Sequence, residues 1–141
     1  MTKGPTVRVY ALATPYEAAI RTVRSALKRH GLRTALELDV AARIRHEVGA
    51  GVAPCFVLYV DDPAVLLEAV VFDKGAALLI PQAVVITGDN RRSEVLVRSA
   101  ESLNGAIPES VRDPLLDLLC RISRTVESVA EQQGAHLALS S

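Results

Sequence analysis

The sequence contains no tryptophan, and aromatic residues occupy only 4% of its 141 positions. An excess of charge of one sign is lacking as well, because 16 basic side chains balance 16 acidic ones and the formal net charge is zero. Proteins that bind nucleic acid usually present a basic surface and aromatic side chains on which bases stack. We therefore expect neither a nucleic acid nor an acidic membrane surface among the partners of this chain.

Long apolar runs are also missing. None reaches the roughly 18 residues that cross a bilayer, and no signal-type apolar core follows Met1. The two cysteines, Cys55 and Cys120, lie far apart in the sequence. We interpret them as small buried side chains in a reducing compartment, with a disulfide or a redox role as the alternative. These features predict a soluble, cytoplasmic protein.

Motifs of the common enzyme classes are absent: the sequence has no phosphate loop, no dinucleotide fingerprint and no nucleophile elbow. The three histidines, His30, His46 and His136, are not spaced from a cysteine or from one another as metal ligands are. We expect no metal site, and the sequence assigns neither a cofactor nor a catalytic residue.

Half of the residues are hydrophobic, which suits one folded domain over residues 1–141. Their spacing alternates between a period of two, typical of strands, and a helical period. We predict an α+β fold: a mixed, mostly antiparallel sheet of about five strands, helices packed on it and a C-terminal helix. The strands are expected over 6–13, 32–38, 53–60 and 83–87 and around Val95 and Val97, with helices over 16–30, 40–48, 63–72 and 113–133.

The continuous apolar run from Ala53 to Val60 predicts an internal strand that is covered on both sides. The predicted core residues are Ile20, Val23, Leu27, Val57 and Val85. In the second strand, Leu32, Thr34, Leu36 and Leu38 are expected to share one face.

Capping patterns mark the expected helix boundaries. Thr14 and Glu17 form a candidate capping box for the first helix. Asp39 and Asp62 are expected to cap the second and third helices. Residues 100–112 are expected to be a loop with at most one helical turn, and Asp113-Pro114 is expected to begin the last helix.

The last helix carries an apolar seam formed by Leu115, Leu119, Ile122, Val126 and Val129. Two interpretations stay open: the seam packs on the sheet of its own chain, or part of it meets a second copy. Because this helix offers more apolar surface than a small sheet obviously needs, we expect a homodimer.

Two polar residues lie at the margins of apolar strands without a capping role. Asp61 ends the most apolar strand, and Gln82 begins the next one after Pro81. A carboxylate at the end of a buried strand often borders a ligand-binding cleft, where its pKa is perturbed. We therefore expect Asp61 and Gln82 to lie close together, at the mouth of a small pocket, although Asp61 pointing into water is the alternative.

In combination these segments resemble the bacterial domain-of-unknown-function family number 302. The resemblance covers about residues 6–100 in unbroken order. It is carried by the helix from Ala18 to Gly31, Leu36-Glu37-Leu38-Asp39-Val40, Phe56-Val57-Leu58-Tyr59, Asp61-Asp62-Pro63 and Leu78-Leu79-Ile80-Pro81-Gln82-Ala83-Val84-Val85.

The resemblance implies a compact α+β domain and a homodimer, and it implies no activity. Members often have Cys-Asn-Pro where this chain has Asp61-Asp62-Pro63, and Pro-Cys where it has Pro81-Gln82. Both family cysteines are thus replaced here. Thiolate chemistry is therefore excluded at Asp61 and Gln82, whereas a hard cation or a hydrogen-bonding metabolite remains compatible with them.

Three functions follow as hypotheses. The first is a non-catalytic, dimeric ligand-binding or sensory domain with Asp61, Gln82 and Asp39 as ligand-binding residues. The second is a structural interaction module that uses the C-terminal helix. The third is an acid/base enzyme that pairs Asp61 with Asp39 or Asp62, which requires the two carboxylates to lie within a few ångströms.

Overall fold

The sheet has five strands, and β3 lies inside it. The computed structural model describes the backbone of residues 7–103 and 107–140, with side chains up to residue 133. Neighbouring strands follow the order β1-β5-β4-β3-β2, and all four pairings are antiparallel. The α+β fold, the predominantly antiparallel sheet and the internal position of β3 are therefore confirmed. The strands are β1 (Val7–Leu12), β2 (Arg33–Asp39), β3 (Cys55–Asp61), β4 (Gln82–Gly88) and β5 (Ser93–Arg98).

Four α-helices connect or follow these strands: α1 (Tyr16–Arg29), α2 (Val40–Val48), α3 (Pro63–Phe72) and α4 (Glu109–Ser140). Short 3₁₀ turns occupy Lys74–Leu78 and Ala100–Ser102. The predicted caps of α2 and α3 are confirmed. The Asp39 carboxylate accepts a hydrogen bond of 2.9 Å from the Ala42 amide, and the Asp62 carboxylate accepts one of 3.0 Å from the Ala64 amide.

The hydrophobic core lies between one face of the sheet and the helices α1 and α4, which both contact the strands. From α1, Ile20, Val23 and Leu27 are buried as predicted. The strands contribute alternate residues, since successive side chains point to opposite faces. These inward residues include Leu12, Leu58, Val60, Val84, Ile86, Val95 and Val97.

Val57 and Val85 lie on the other face of the sheet. They are cross-strand partners in the β3–β4 ladder, next to the inward pair Leu58 and Val84. Val57 is buried but lies outside the core cluster, and Val85 is only half-buried. The prediction that Val85 belongs to the core is therefore wrong. Both faces of β4 are apolar, so the sequence did not indicate which face the helices cover.

Strand β2 does not keep its leucines on one face. Its pairing with β3 shifts between Thr34 and Leu36, so one extra residue is inserted at this point. A β-bulge of this kind reverses the facing of every later residue. Leu32 is consequently buried, whereas the side chain of Leu36 is 66% exposed. The predicted common face is therefore wrong.

The first turn of α1 is held by the β4–β5 turn rather than by a capping box. The residue preceding the helix is Pro15, and no side chain caps it. Instead, the Tyr16 amide donates a 2.8 Å hydrogen bond to the Asp89 carbonyl, and the Ser93 hydroxyl donates to the Thr14 carbonyl. A tertiary contact therefore takes the place of the predicted Thr14 and Glu17 pair.

Helix α4 begins at Glu109, one turn earlier than predicted. The amides of Val111 and Arg112 donate to the carbonyl of Pro108, and Pro114 lies within the helix. Placing Pro114 there costs one backbone hydrogen bond, because proline has no amide hydrogen. The apolar seam is buried against the molecule's own core, since none of its five residues is more than 4% exposed. The first interpretation of the seam is therefore correct.

Replacing a fully buried α1 residue tests this arrangement. We expect Leu27→Ala to lower the free energy of unfolding by about 2–5 kcal/mol, because it leaves a cavity between α1 and the sheet. Leu78 is 89% exposed and provides the control, since Leu78→Ala should change stability by less than about 0.5 kcal/mol. Chemical denaturation of both variants gives the comparison. Equal losses would mean that the buried face of α1 is wrongly assigned.

Candidate functional site

Asp61 and Gln82 share one end of the β3–β4 ladder, but their side chains do not meet. Gln82 pairs directly with Val60, the residue before Asp61. Since side chains alternate along a strand, Gln82 lies with Val60 on the helix-covered face and Asp61 on the other. The Gln82 amide donates a hydrogen bond of 2.5 Å to the Leu79 carbonyl. Gln82 therefore fixes the segment before β4, and its amide nitrogen already has a partner.

Asp61 is a buried carboxylate whose charge is not balanced. Its residue surface is only 6% exposed. Arg33 lies opposite in the β2–β3 register, but no cation of the described residues lies within ion-pair distance of the Asp61 carboxylate. Burial, followed by the neighbouring charge of Asp62, raises the pKa of Asp61. Folding therefore favours the protonated form of this carboxyl group.

The adjacent Asp62 has the opposite environment. Its carboxylate accepts a 2.6 Å hydrogen bond from the Arg121 guanidinium of α4 and also caps α3. The Arg121 hydrogen bond holds the pKa of Asp62 below its usual range. Arg121 also donates to the carbonyl of His30 at the end of α1. From within α4, this arginine links the end of α1 to the start of α3, so the role of Asp62 is structural.

Asp39 lies at the far end of β2, where it pairs with Phe56, whereas Asp61 pairs with Arg33 at the near end. Six residues of extended strand separate the two ends, which is about 20 Å. The structure therefore does not bring Asp39 and Asp61 together. With Asp62 occupied by Arg121, the acid/base pair that the enzyme hypothesis requires is not assembled.

Asp39 belongs instead to a small group of titratable side chains at the start of α1. Burial, together with the charges of Asp39 and Cys55, raises the pKa of Tyr16 to about 12. Burial and Asp39 also raise the pKa of the Cys55 thiol. Both groups therefore keep their protons at neutral pH, and Cys55 is not activated as a nucleophile.

Two cavities lie on either side of Tyr16 and Pro54, which line both of them. One, of about 370 Å³, is also lined by Glu17, Asp89 and Asn90. The other, of about 180 Å³, includes Asp39 and Arg45. Of the three predicted site residues, Asp39 lines a described cavity. Asp61 and Gln82 line none of the four described cavities.

The largest described cavity, of about 420 Å³, was missed by the sequence analysis. It lies between the end of β1, the β4–β5 turn and α4, and Arg91 and Arg92 line it together with Gln133. Two consecutive arginines in a short strand-to-strand turn were the signal that could have indicated it.

Within residues 7–103 and 107–133, no three side chains from histidine, cysteine, aspartate and glutamate are grouped as metal ligands. Over the described part of the chain, no helix combines the length and apolar composition needed to cross a bilayer.

The opposite environments of Asp61 and Asp62 predict opposite effects of the same substitution. Asp61→Asn should raise the free energy of unfolding at pH 7 by about 1–3 kcal/mol, because it removes an unpaired buried charge. Asp62→Asn keeps a capping side chain but loses the ion pair, and should lower stability by about 1–3 kcal/mol.

The pH dependence distinguishes the two variants further. The pKa of Asp61 is raised on folding, so its penalty develops as pH rises above the unfolded value of about 4. The pKa of Asp62 is lowered, so its contribution is lost as pH falls below about 4. For both variants, the difference in the free energy of unfolding from the unaltered protein should therefore become smaller as the pH is lowered. Urea denaturation between pH 3 and pH 7 measures them, and a destabilising Asp61→Asn would contradict the assignment.

Comparison with known proteins supports the fold. No curated protein matches the chain. A similar solved structure is the crystal structure of the uncharacterized conserved protein DUF302 from Bacillus stearothermophilus, with a TM-score of 0.77 and 14% identity over 88% of this chain and 98% of that one. At this identity the likeness shows the fold. The family model for the domain of unknown function DUF302 matches residues 8–132, most of the sequence. The chain therefore belongs to the DUF302 family.

Proposed function

We propose that this protein is a non-catalytic binding domain that acts as a homodimer, with the face of the sheet opposite α1 and α4 as its dimer interface. The observation that carries the proposal is the apolar character of this face. We also propose that the protein is cytoplasmic, with which the free thiols of Cys55 and Cys120 agree.

The face of the sheet opposite α1 and α4, hereafter the open face, has one uninterrupted apolar row across all five strands. The register pairs each member of this row with the next. The row consists of Val9, Leu96, Val85, Val57 and Leu38. Val9 is exposed, Leu96, Val85 and Leu38 are half-buried, and Val57 is buried. Next to the row, Val7 and Leu36 are 45% and 66% exposed. Adjoining apolar side chains that stay exposed or partly exposed are typical of an interaction site.

The charges on the open face favour a second copy of the same chain as the partner. On β5, Glu94 and Arg98 flank Leu96, one on each side of the apolar row. A two-fold axis that runs along the row is perpendicular to the strands. It places β5 of one copy over β5 of the other, with the strand direction reversed. Glu94 of each copy then faces Arg98 of the other, while the apolar row packs against itself. A two-fold interface has to be self-complementary in this way.

The size of the open face is also adequate. Five strands spaced about 4.8 Å apart and about 20 Å long give a footprint of about 480 Å² before the relief of the side chains is counted. Small specific interfaces bury about 600 Å² of accessible surface on each partner. Face-to-face packing of two sheets, as in a β-sandwich, therefore gives an interface near the small end of this size range.

The two alternative functions have less support. The interaction module that uses α4 needs an exposed apolar seam, and the seam is buried in the core. The acid/base enzyme needs two neighbouring free carboxylates, whereas Asp61 is far from Asp39 and Asp62 is bound to Arg121. The homodimer expected from the sequence remains part of the proposal, but the proposed interface is the open face of the sheet instead of the last helix.

Light scattering coupled to size exclusion tests the dimer. The unaltered protein should have twice the 15.1 kDa mass of one chain. Val85→Lys should give the single-chain mass, because it places an unpaired charge at the centre of the interface. Leu78→Lys is the control, since Leu78 is 89% exposed and outside the sheet. A single-chain mass for the unaltered protein at micromolar concentration would overturn the proposal.

A charge exchange tests the orientation of the dimer and does not depend on whether Val85→Lys folds. Glu94→Arg should weaken the dimer, because it places two arginines opposite each other. The double variant Glu94→Arg with Arg98→Glu should restore the dimer, because the two signs are merely exchanged. If the double variant is as weak as the single one, the axis does not run along the apolar row.

A further inference from the structure

We propose that the cavity of about 420 Å³ beside the β4–β5 turn binds a small organic anion that has an apolar body, such as a medium-chain carboxylate. This inference deepens the binding role proposed above by naming a site and a ligand class. The cavity is lined by residues from the end of β1, the β4–β5 turn and α4.

The positive charge of the cavity comes from Arg91 and Arg92. Within the described residues, no carboxylate lies within ion-pair distance of either guanidinium group. The nearby Asp89 carboxylate accepts hydrogen bonds from the backbone amides of these two arginines, at 2.8 and 3.0 Å. Asp89 therefore fixes the turn, and its charge partly offsets that of Arg92. Neither guanidinium group is held in an ion pair within the described residues, so both can bind a carboxylate in a fork-like geometry.

The turn that carries the arginines is rigidly placed. Gly88 precedes it, and a Cβ atom at this position would lie 2.6 Å from the Arg92 carbonyl oxygen. Only glycine fits such a close approach. Within the turn, the Asp89 carbonyl accepts a hydrogen bond from the Tyr16 amide, the first amide of α1. A site built on such a turn fixes the backbone that carries its cations before a ligand arrives, which lowers the entropic cost of binding.

The remaining walls of the cavity suit an apolar ligand body. Leu12, Ala11, Ala13 and Ala130 line it, and its volume lies within the usual range of small-molecule sites, about 300–1,000 Å³. Gln133 adds a second polar feature, because its buried Oε1 atom has no hydrogen-bond partner among the described side chains. Buried polar atoms normally have partners. A hydroxyl or amine on the ligand body would supply the missing hydrogen bond to Gln133.

The opposite side of the same turn provides a contrast. The cavity of about 370 Å³ there is lined by Glu17 and Asp89 and contains no lysine or arginine. An anion is attracted to the arginine side and repelled from the acidic side. The acidic cavity therefore provides an internal control, at which the proposed anion should not bind.

Nuclear magnetic resonance titration with octanoate tests the site. Chemical-shift changes should be concentrated at Leu12, Arg91 and Arg92, and the double variant Arg91→Gln with Arg92→Gln should weaken binding at least about tenfold. Gln133→Glu preserves shape but adds a negative charge, so it should also weaken binding. Octanol, which lacks the charge, should bind weakly to every form. Glu17→Gln, in the acidic cavity, is the matched control and should leave octanoate binding unchanged.

Three results would overturn the inference: equal binding of octanol and octanoate, shift changes centred on Tyr16, or unchanged affinity in the double arginine variant. The mass of each variant is measured in parallel by light scattering. A dimer without octanoate binding would reject the anion site alone, and octanoate binding by a single-chain species would reject the dimer alone.

Discussion

The organisation of this protein depends on a sheet whose core-forming helices, α1 and α4, pack on the same face. Helices α1 and α4 pack on the same side of the five strands and form with them one continuous core. Burial of this inward surface provides the main driving force for folding. The other face keeps an apolar row across all strands, because the strands are apolar on both sides. The functional proposal starts from this difference between the two faces.

Much of the fold could be predicted from local sequence, because caps and strand periods act over a few residues. Asp39 and Asp62 were recognised as caps since each precedes a helical pattern and accepts a nearby amide. The bulge in β2 could not be recognised, since it depends on pairing with β3. The start of α1 at Tyr16 is predicted correctly, but its capping box is wrong for a similar reason, because the Tyr16 amide is bound by Asp89, more than seventy residues away.

The candidate site was harder to predict than the fold. Asp61 and Gln82 are indeed neighbours in register, but the strand period separates their side chains. The family resemblance concerned positions along the chain, and it did not say on which face of the sheet a replaced residue lies. The three acidic residues illustrate the same limit. Asp39, Asp61 and Asp62 all flank strand ends, yet one caps a helix beside a cavity, one is buried alone and one is bound to Arg121.

The β4–β5 turn joins the two proposed properties of the molecule. Its Asp89 carbonyl holds the start of α1, its arginines line the largest described cavity, and the strands on either side carry the open face. A ligand that bound Arg91 and Arg92 would contact a segment continuous with β5, which contains Glu94 and Arg98. If the dimer forms through β5, a change in the position of the turn would alter the spacing of these charges across the interface. Binding and dimer formation would then be thermodynamically coupled, and each would change the equilibrium of the other by the same factor.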